Sequence, residues 1–275
     1  MLSYRHAFHA GNHGDVLKHL VLANTIDYLL RKETPVLYID THAGAGRYQL
    51  NNAMAKKTEE ASKGIGSLAF SRLPESADIY QQALAGYLKQ RQYPGSPLLA
   101  ADLLRRQDRL ALYELHPKDQ TALQRLFGKD KRVQVESADG FAGLKARLPA
   151  KNSRALVLMD PSYEMKSDYQ QVANSIQEGY KRMPSAVFLV WYPVVERHRI
   201  NKLINDLKAS KVRDLWQFEL GVEADTEEYG MTASGMLVIN PPWVLPEQLR
   251  TLLPAIQQQL APDSGHSCVE QLVPE

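Results

Sequence analysis

The alternation of short apolar runs with amphipathic stretches constrains this chain more than any other feature. Seven runs are rich in β-branched, aromatic and aliphatic residues: Val36–Asp40, Leu110–Leu115, Val133–Glu136, Ala155–Asp160, Ala186–Pro193, Asp214–Val222 and Gly235–Asn240. Several are continuously apolar, the pattern of parallel strands covered on both faces. Between most of them lie segments with helical spacing. Asp15–Lys32 carries Val16, Leu17, Leu20, Val21, Ile26, Leu29 and Leu30 as a wide apolar face, and Asp168–Met183 and Pro246–Leu260 behave similarly. Strands alternating with helices predict an α/β fold with a doubly wound parallel sheet.

The last two runs break the rhythm. Only the polar stretch Glu223–Ser234 separates them, too little for a packed crossover helix, so they read as an antiparallel pair at the sheet edge. Seven strands ending in such a pair fit the Rossmann-like methyltransferase sheet better than the six-stranded dinucleotide sheet. One interval is too long, since a single βαβ unit needs about 30 residues and the first two strands are separated by far more. The surplus falls in Gln49–Tyr93, where Glu75–Arg91 places Ile79, Leu84, Tyr87 and Leu88 on one side of a helix. The expected organisation is a main domain, 1–48 and 94–275, with a small helical insertion subdomain at 49–93. The tail beyond Pro262 reads as irregular or as a short final segment.

Bulk properties remove some classes of function. With 275 residues and 44% apolar composition, the chain can bury a substantial core. A net charge of +2 permits a nucleic-acid partner without arguing for one. The single cysteine, Cys268, rules out a disulfide within the chain and fits a reducing compartment. The N-terminus is polar and histidine-rich, without an apolar signal core, and the apolar stretch Ala186–Val195 is too short to cross a membrane. A soluble cytoplasmic protein with no membrane partner is expected.

Four strand ends carry residues suited to chemistry. After the first strand, Asp40-Thr-His-Ala-Gly44-Ala-Gly46 lets backbone approach a ligand closely, at the carboxyl edge of the sheet where such folds bind ligands. The acidic residue opening this loop suits a cationic or hydroxyl-rich ligand better than a pyrophosphate. Glu114 ends the second strand and is placed to accept hydrogen bonds from ribose hydroxyls. Asp139-Gly140 follows the third strand; on its own it is a turn or helix cap, and its value is positional.

The most specific signal is Leu156-Val-Leu-Met-Asp160-Pro161-Ser162-Tyr163. Adenine N6 is a poor nucleophile because its lone pair is delocalised into the ring. A carboxylate and a backbone carbonyl that accept both N–H groups localise that lone pair toward a methyl donor, while a stacked aromatic ring holds the purine. Asp160, the Pro161 carbonyl and Tyr163 are candidates for those three parts.

On these residues the chain resembles the bacterial 23S ribosomal RNA adenine-N6 methyltransferases of the RlmJ type, whose loop signature is Asp-Pro-Pro-Tyr. Similar segments run almost end to end: Met1-Leu-Ser-Tyr-Arg-His, His9-Ala-Gly-Asn-His, Asp15-Val-Leu-Lys-His, Asp40-Thr-His-Ala-Gly-Ala-Gly-Arg-Tyr, Tyr93-Pro-Gly-Ser-Pro, Glu114-Leu-His-Pro, Trp191-Tyr-Pro-Val-Val and Met231-Thr-Ala-Ser-Gly-Met. The resemblance implies that Lys18, His19, His42, Gly44, Ser96, Glu114, Asp139, Gly140 and Asp160 surround S-adenosyl-L-methionine, with S-adenosyl-L-homocysteine as product. It implies that Asp160 is the catalytic acceptor, and that Tyr4 and His6, with Tyr163, face the target nucleotide. It further implies 23S ribosomal RNA as the substrate; because the adenine must leave its stack to reach the loop, protein-free or partly assembled RNA is expected, and the protein is expected to be a monomer.

One departure stands out: Ser162 occupies the position where the family has proline. The accepting carbonyl belongs to Pro161, so the chemistry survives in a loop with one ring fewer to stiffen it. No metal is expected, because His6, His9, His13 and His19 match no common zinc spacing and no cysteine accompanies them. Basic residues recur at Lys129, Lys131 and Arg132, and at Lys181, Arg182, Arg197, Arg199 and Lys202; solvated helix faces are their default reading, with phosphate contacts open to some of them. The loop motif alone serves RNA and DNA alike. A DNA adenine-N6 methyltransferase and a non-catalytic RNA-binding relative therefore stand as alternatives, with a nicotinamide dehydrogenase fitting the glycine spacing poorly.

Overall fold

The computed structural model describes residues 6–51, 59–226 and 230–275. A 3-10 turn at His6–Phe8 leads into helix α1 (His13–Leu30), followed by strand β1 (Val36–Asp40) and the short β2 (Arg47–Gln49). Next come α2 (Glu60–Lys63), three 3-10 turns, α3 (Asp78–Lys89) and β3 (Gln92–Pro94). The rest follows as α4 (Ser96–Leu103), β4 (Arg109–Tyr113), α5 (Pro117–Phe127), β5 (Val133–Glu136), α6 (Gly140–Arg147), β6 (Arg154–Met159) and α7 (Ser167–Arg182). It closes with β7 (Val187–Val194), α8 (Arg197–Lys208), β8 (Leu215–Gly221), β9 (Ala233–Ile239), α9 (Leu245–Leu260) and β10 (His266–Val273).

All seven expected strands form, but the main sheet has eight, in the order β10-β8-β9-β7-β6-β1-β4-β5. From β5 to β7 the pairing is parallel, and β9 runs antiparallel to both β7 and β8. The eighth strand decides one reading and corrects another. The tail beyond Pro262 forms a short final segment rather than an irregular end, because β10 pairs antiparallel with β8 from His266↔Gly221 onward. The β8–β9 pair is therefore internal rather than at the edge. The half-exposed sequence of β10 supplies no apolar alternation, and its backbone ladder with β8 defines it instead.

Side chains alternate across the sheet with the period of two that strands impose. Val36 and Tyr38 enter the core that contains α1, α4 and α9, whereas Ile39 enters the core beneath α7 and α8. Helix α1 is buried on nearly every side, including the polar residues Asp15, Lys18, His19, Asn24 and Thr25. Between β2 and β3, the described residues 59–91 are mostly helical. Among them, Ala77, Tyr80 and Leu84 join the same core as α1, and the Tyr80 and Tyr93 hydroxyls lie 2.7 Å apart beneath it. Among the described residues, no helix is long and apolar enough to cross a membrane.

Candidate active site

The carboxyl ends of β1, β4, β5 and β6 open onto one cavity beside the start of α1. Its lining includes His42 and Gly44 after β1, Glu114 after β4, Asp139 and Gly140 after β5, and Asp160, Pro161 and Ser162 after β6. Lys18 and His6 reach it from the N-terminal side, and Ser96 from the start of α4. The resemblance-derived set is thus largely brought together. His19 and Tyr163 are not part of the lining, and Tyr4 lies outside the described residues.

One wall is built from neutral donors. Asp40, wholly buried behind the glycine loop, accepts from the Tyr38 hydroxyl at 2.7 Å, the Ser96 hydroxyl at 2.7 Å and the His42 backbone N–H at 3.2 Å. Burial pushes its carboxyl up to about 6, against the pull of those donors. Glu114 accepts from Gly44 N at 2.8 Å and His116 N at 2.6 Å, and burial raises it as well. Gly44 has φ +60, and a Cβ there would stand 2.4 Å from the Tyr48 hydroxyl. The loop can therefore take this path only with glycine. Gly140 is required by close approach instead, since a Cβ would meet the Thr41 carbonyl oxygen at 2.0 Å. Asp139 caps α6 by accepting from Phe141 N at 2.9 Å. The His42 ring packs edge-on against Phe141, and burial pulls it down to about 4, so it is neutral near pH 7.

The opposite wall is charged. The Lys18 ammonium, in a side chain 4% exposed, donates to Asp160 Oδ2 at 2.6 Å and pairs with Asp15 Oδ1 at 2.8 Å. Burial raises Asp160, while the charges of Lys18 and His6 oppose it. Asp15 is held well below the usual carboxylate range: His6 and Lys18 outweigh a burial effect that acts in the other direction. Its Oδ2 faces His6 Nε2 at 2.9 Å and accepts from Gly11 N at 2.8 Å. Lys18 Nζ also lies 5.9 Å from the ring centroid of Trp191.

Two expected residues take up other partners. Tyr163, in the left-handed region at φ 54, donates its hydroxyl to the Trp191 carbonyl at 2.7 Å, with its ring against Tyr169 and Trp191. His19 is fully buried, with Nδ1 2.9 Å from the Tyr93 hydroxyl and its ring pulled down to about 3 by burial. The histidines are dispersed among separate partners, His6 with Asp15 and His9 with Glu60.

Of the eight basic residues left open to phosphate contact, four have acidic partners within the fold. Arg197 binds Glu219 and Asp225, Arg199 pairs with Glu196, and Lys202 pairs with Asp206. Arg132 holds Asp130 and the carbonyls of Ala101 and Leu104. Sequence reasoning missed Asp15. The pattern Asn12-His-Gly-Asp15 announces a helix start, and Asp15 N does donate to Asn12 Oδ1 at 2.9 Å. That signal accounts for Asp15 as a first-turn acid and is silent about its side-chain partners.

Comparisons with known proteins agree on one family. A family model described as "Ribosomal RNA large subunit methyltransferase D, RlmJ" matches residues 33–273. The chain is 50% identical over 280 residues to a protein of Escherichia coli named ribosomal RNA large subunit methyltransferase J, covering all of both chains. It is 46% identical over 281 residues to the Haemophilus influenzae protein of the same name, again covering all of both. A crystal structure of a Legionella pneumophila protein superposes with a TM-score of 0.87 at 34% identity, covering 96% of this chain and 98% of that one.

Proposed function

We propose that this chain, which belongs to the RlmJ family of ribosomal RNA large subunit methyltransferases, moves a methyl group from S-adenosyl-L-methionine to N6 of an adenine in 23S ribosomal RNA. The observation that carries this reading is the placement of Asp160 on the cavity wall with one oxygen held by Lys18. That arrangement leaves Oδ1 of Asp160 to accept from the adenine amino group, and the Pro161 carbonyl to accept its second N–H. Pairing with Lys18 opposes the effect of burial and favours the ionised, accepting form of Asp160. Asp160 is also the base placed to take the proton that the methylated amine sheds.

The lining suits the methyl donor. Glu114, Asp119, Asp139, Asp160, Glu164 and Asp168 share the lining with the single ammonium of Lys18, an acid-rich set that tolerates a cation and rejects a pyrophosphate. Glu114 and Asp139 are placed to take ribose hydroxyls, and Ser96, Gly44, Gly140 and His42 to contact the rest. When bound, S-adenosyl-L-methionine supplies an electrophilic methyl group on its sulfonium. His6, at the cavity wall, faces the target nucleotide, which must leave its stack to reach Asp160. Protein-free or partly assembled RNA is therefore the better substrate, and a monomer suffices.

The test is tritium-methyl transfer to deproteinised 23S RNA, with duplex DNA as comparator. We expect labelled RNA and unlabelled DNA. Asp160→Ala should lower transfer by about 10³-fold or more, since it removes the acceptor made for the transition state. RNA left unlabelled by the intact protein would overturn the proposal.

A further inference from the structure

We propose that Asp15 is a positioning residue for this site: one oxygen of its carboxylate fixes Lys18, and through it Asp160, while the other holds His6 at the cavity wall. The inference rests on the reading of Asp160 as the acceptor. Asp15 occupies the first turn of α1 and is 2% exposed. A first-turn acid serving only the helix dipole can point anywhere near the exposed N–H groups. Here both oxygens are committed to site residues, Oδ1 to Lys18 and Oδ2 to His6 and the Gly11 N–H.

The physical need lies in the lysine. An ammonium on a flexible four-carbon stem, tethered to a single carboxylate, can swing and carry that carboxylate with it. Anchors on two sides, Asp15 at 2.8 Å and Asp160 at 2.6 Å, fix the ammonium and with it the rotation of the Asp160 carboxylate. Small displacements at such an acceptor have large effects on rate. His6 is held by the same carboxylate, so both sides of the nucleotide pocket share one anchor.

Charge makes the arrangement testable. Asp160 faces Lys18 and Asp15 from α1 and His6 from the N-terminal segment. Asp40 and Tyr38 of β1 and Tyr163 of its own loop also interact with it. Removing the charge of Asp15 takes a like charge away from Asp160 and leaves the ammonium to Asp160 alone. Both changes draw the Asp160 carboxyl downward.

The experiment uses the full chain and Asp15→Asn, which keeps the shape but offers an acceptor on one side only. Carbon-13 carboxyl NMR on the ligand-free protein should show the Asp160 midpoint about one pH unit lower than in the unaltered protein. An unchanged or raised midpoint overturns the proposal, and this readout needs no methyl transfer. In the transfer assay, Asp15→Asn should lower kcat about 10- to 100-fold with KM for RNA held within about threefold. In a Lys18→Met/His6→Ala background the same substitution should cost less than about threefold, because both partners it acts through are gone. A full additive loss in that background would assign Asp15 a purely structural role and overturn the proposal. Should Asp15→Asn fail to fold, Asp15→Glu keeps the charge and displaces the carboxylate by one methylene. A lowered kcat at unchanged KM then supports the proposal, and an undiminished kcat overturns it. If the unaltered protein fails to label RNA, the proposed function falls, while the NMR titration still judges Asp15.

Discussion

The two walls of the cavity solve the same problem in different ways. Each must keep a carboxylate out of water at a strand end. The β1 wall surrounds Asp40 with hydroxyls and a backbone N–H, whereas the α1 wall gives Asp160 a buried ammonium. Neutral donors only partly offset the cost of desolvating a charge, so Asp40 sits up at about 6. An opposite charge offsets more of it, but the ammonium must itself be compensated, and Asp15 completes the set. A neutral wall can change its protonation state near physiological pH, whereas a charged wall is stiff and fails when any member is lost.

The strongest way to break this contrast is Lys18→Met. It leaves two buried carboxylates facing each other without the ammonium between them, and losing one partner from a buried ion pair costs about 3–5 kcal/mol. Urea unfolding of the ligand-free protein at pH 7 measures the loss. A change below about 1 kcal/mol would mean that the charged wall is no more demanding than its neighbour.

The neutral wall predicts a pH effect of opposite character. A carboxyl held at about 6 when folded, against an ordinary 3.8, binds more protons in the folded than in the unfolded state between those values. Stability attributable to Asp40 therefore rises as pH falls through that window, and the penalty is full above it. Relative to Asp40→Asn, the unaltered protein should gain at most about 3 kcal/mol between pH 7 and pH 4, because each pH unit separating the folded and unfolded midpoints is worth about 1.4 kcal/mol. Parallel unfolding series at the two pH values give the difference, and curves that keep a constant gap would refute it.

The smallest effect concerns the support beneath the charged wall. Tyr163→Phe removes only the hydrogen bond to the Trp191 carbonyl and should cost about 1 kcal/mol of stability. Ring packing against Tyr169 and Trp191 is retained. If this substitution abolished methyl transfer, the hydroxyl would belong to the chemistry rather than to the loop.

The neutral wall was the more legible in sequence. Glycines after a strand, an acid at the next strand end and an Asp-Gly pair are local signals, and topology alone carries them to a common edge. Asp160 was legible for the same reason. The charged wall depends on which residues meet across the fold, and spacing is silent about that. Lys18 and His6 received roles only through family resemblance, and Asp15 received none. Tyr163 shows the converse limit. An aromatic at that place in the loop suggests a stacking surface, yet its ring packs against Tyr169 and Trp191 and its hydroxyl is bound to the Trp191 carbonyl. Strand β10 escaped because a half-exposed strand held by backbone pairing leaves little pattern in its side chains.

The bridge from Lys18 to Asp160 joins residues 142 positions apart. Helix α1 stands near the start of the chain, yet it packs against β7 and β9, which lie far along it. Contacts of such long range carry a loop-closure entropy that local helices and hairpins avoid, and they slow folding. The Lys18 ammonium thus reaches Asp160 only after β6 has taken its place beside β1. Until then, the folding chain has a sheet and helices in the making, but no site.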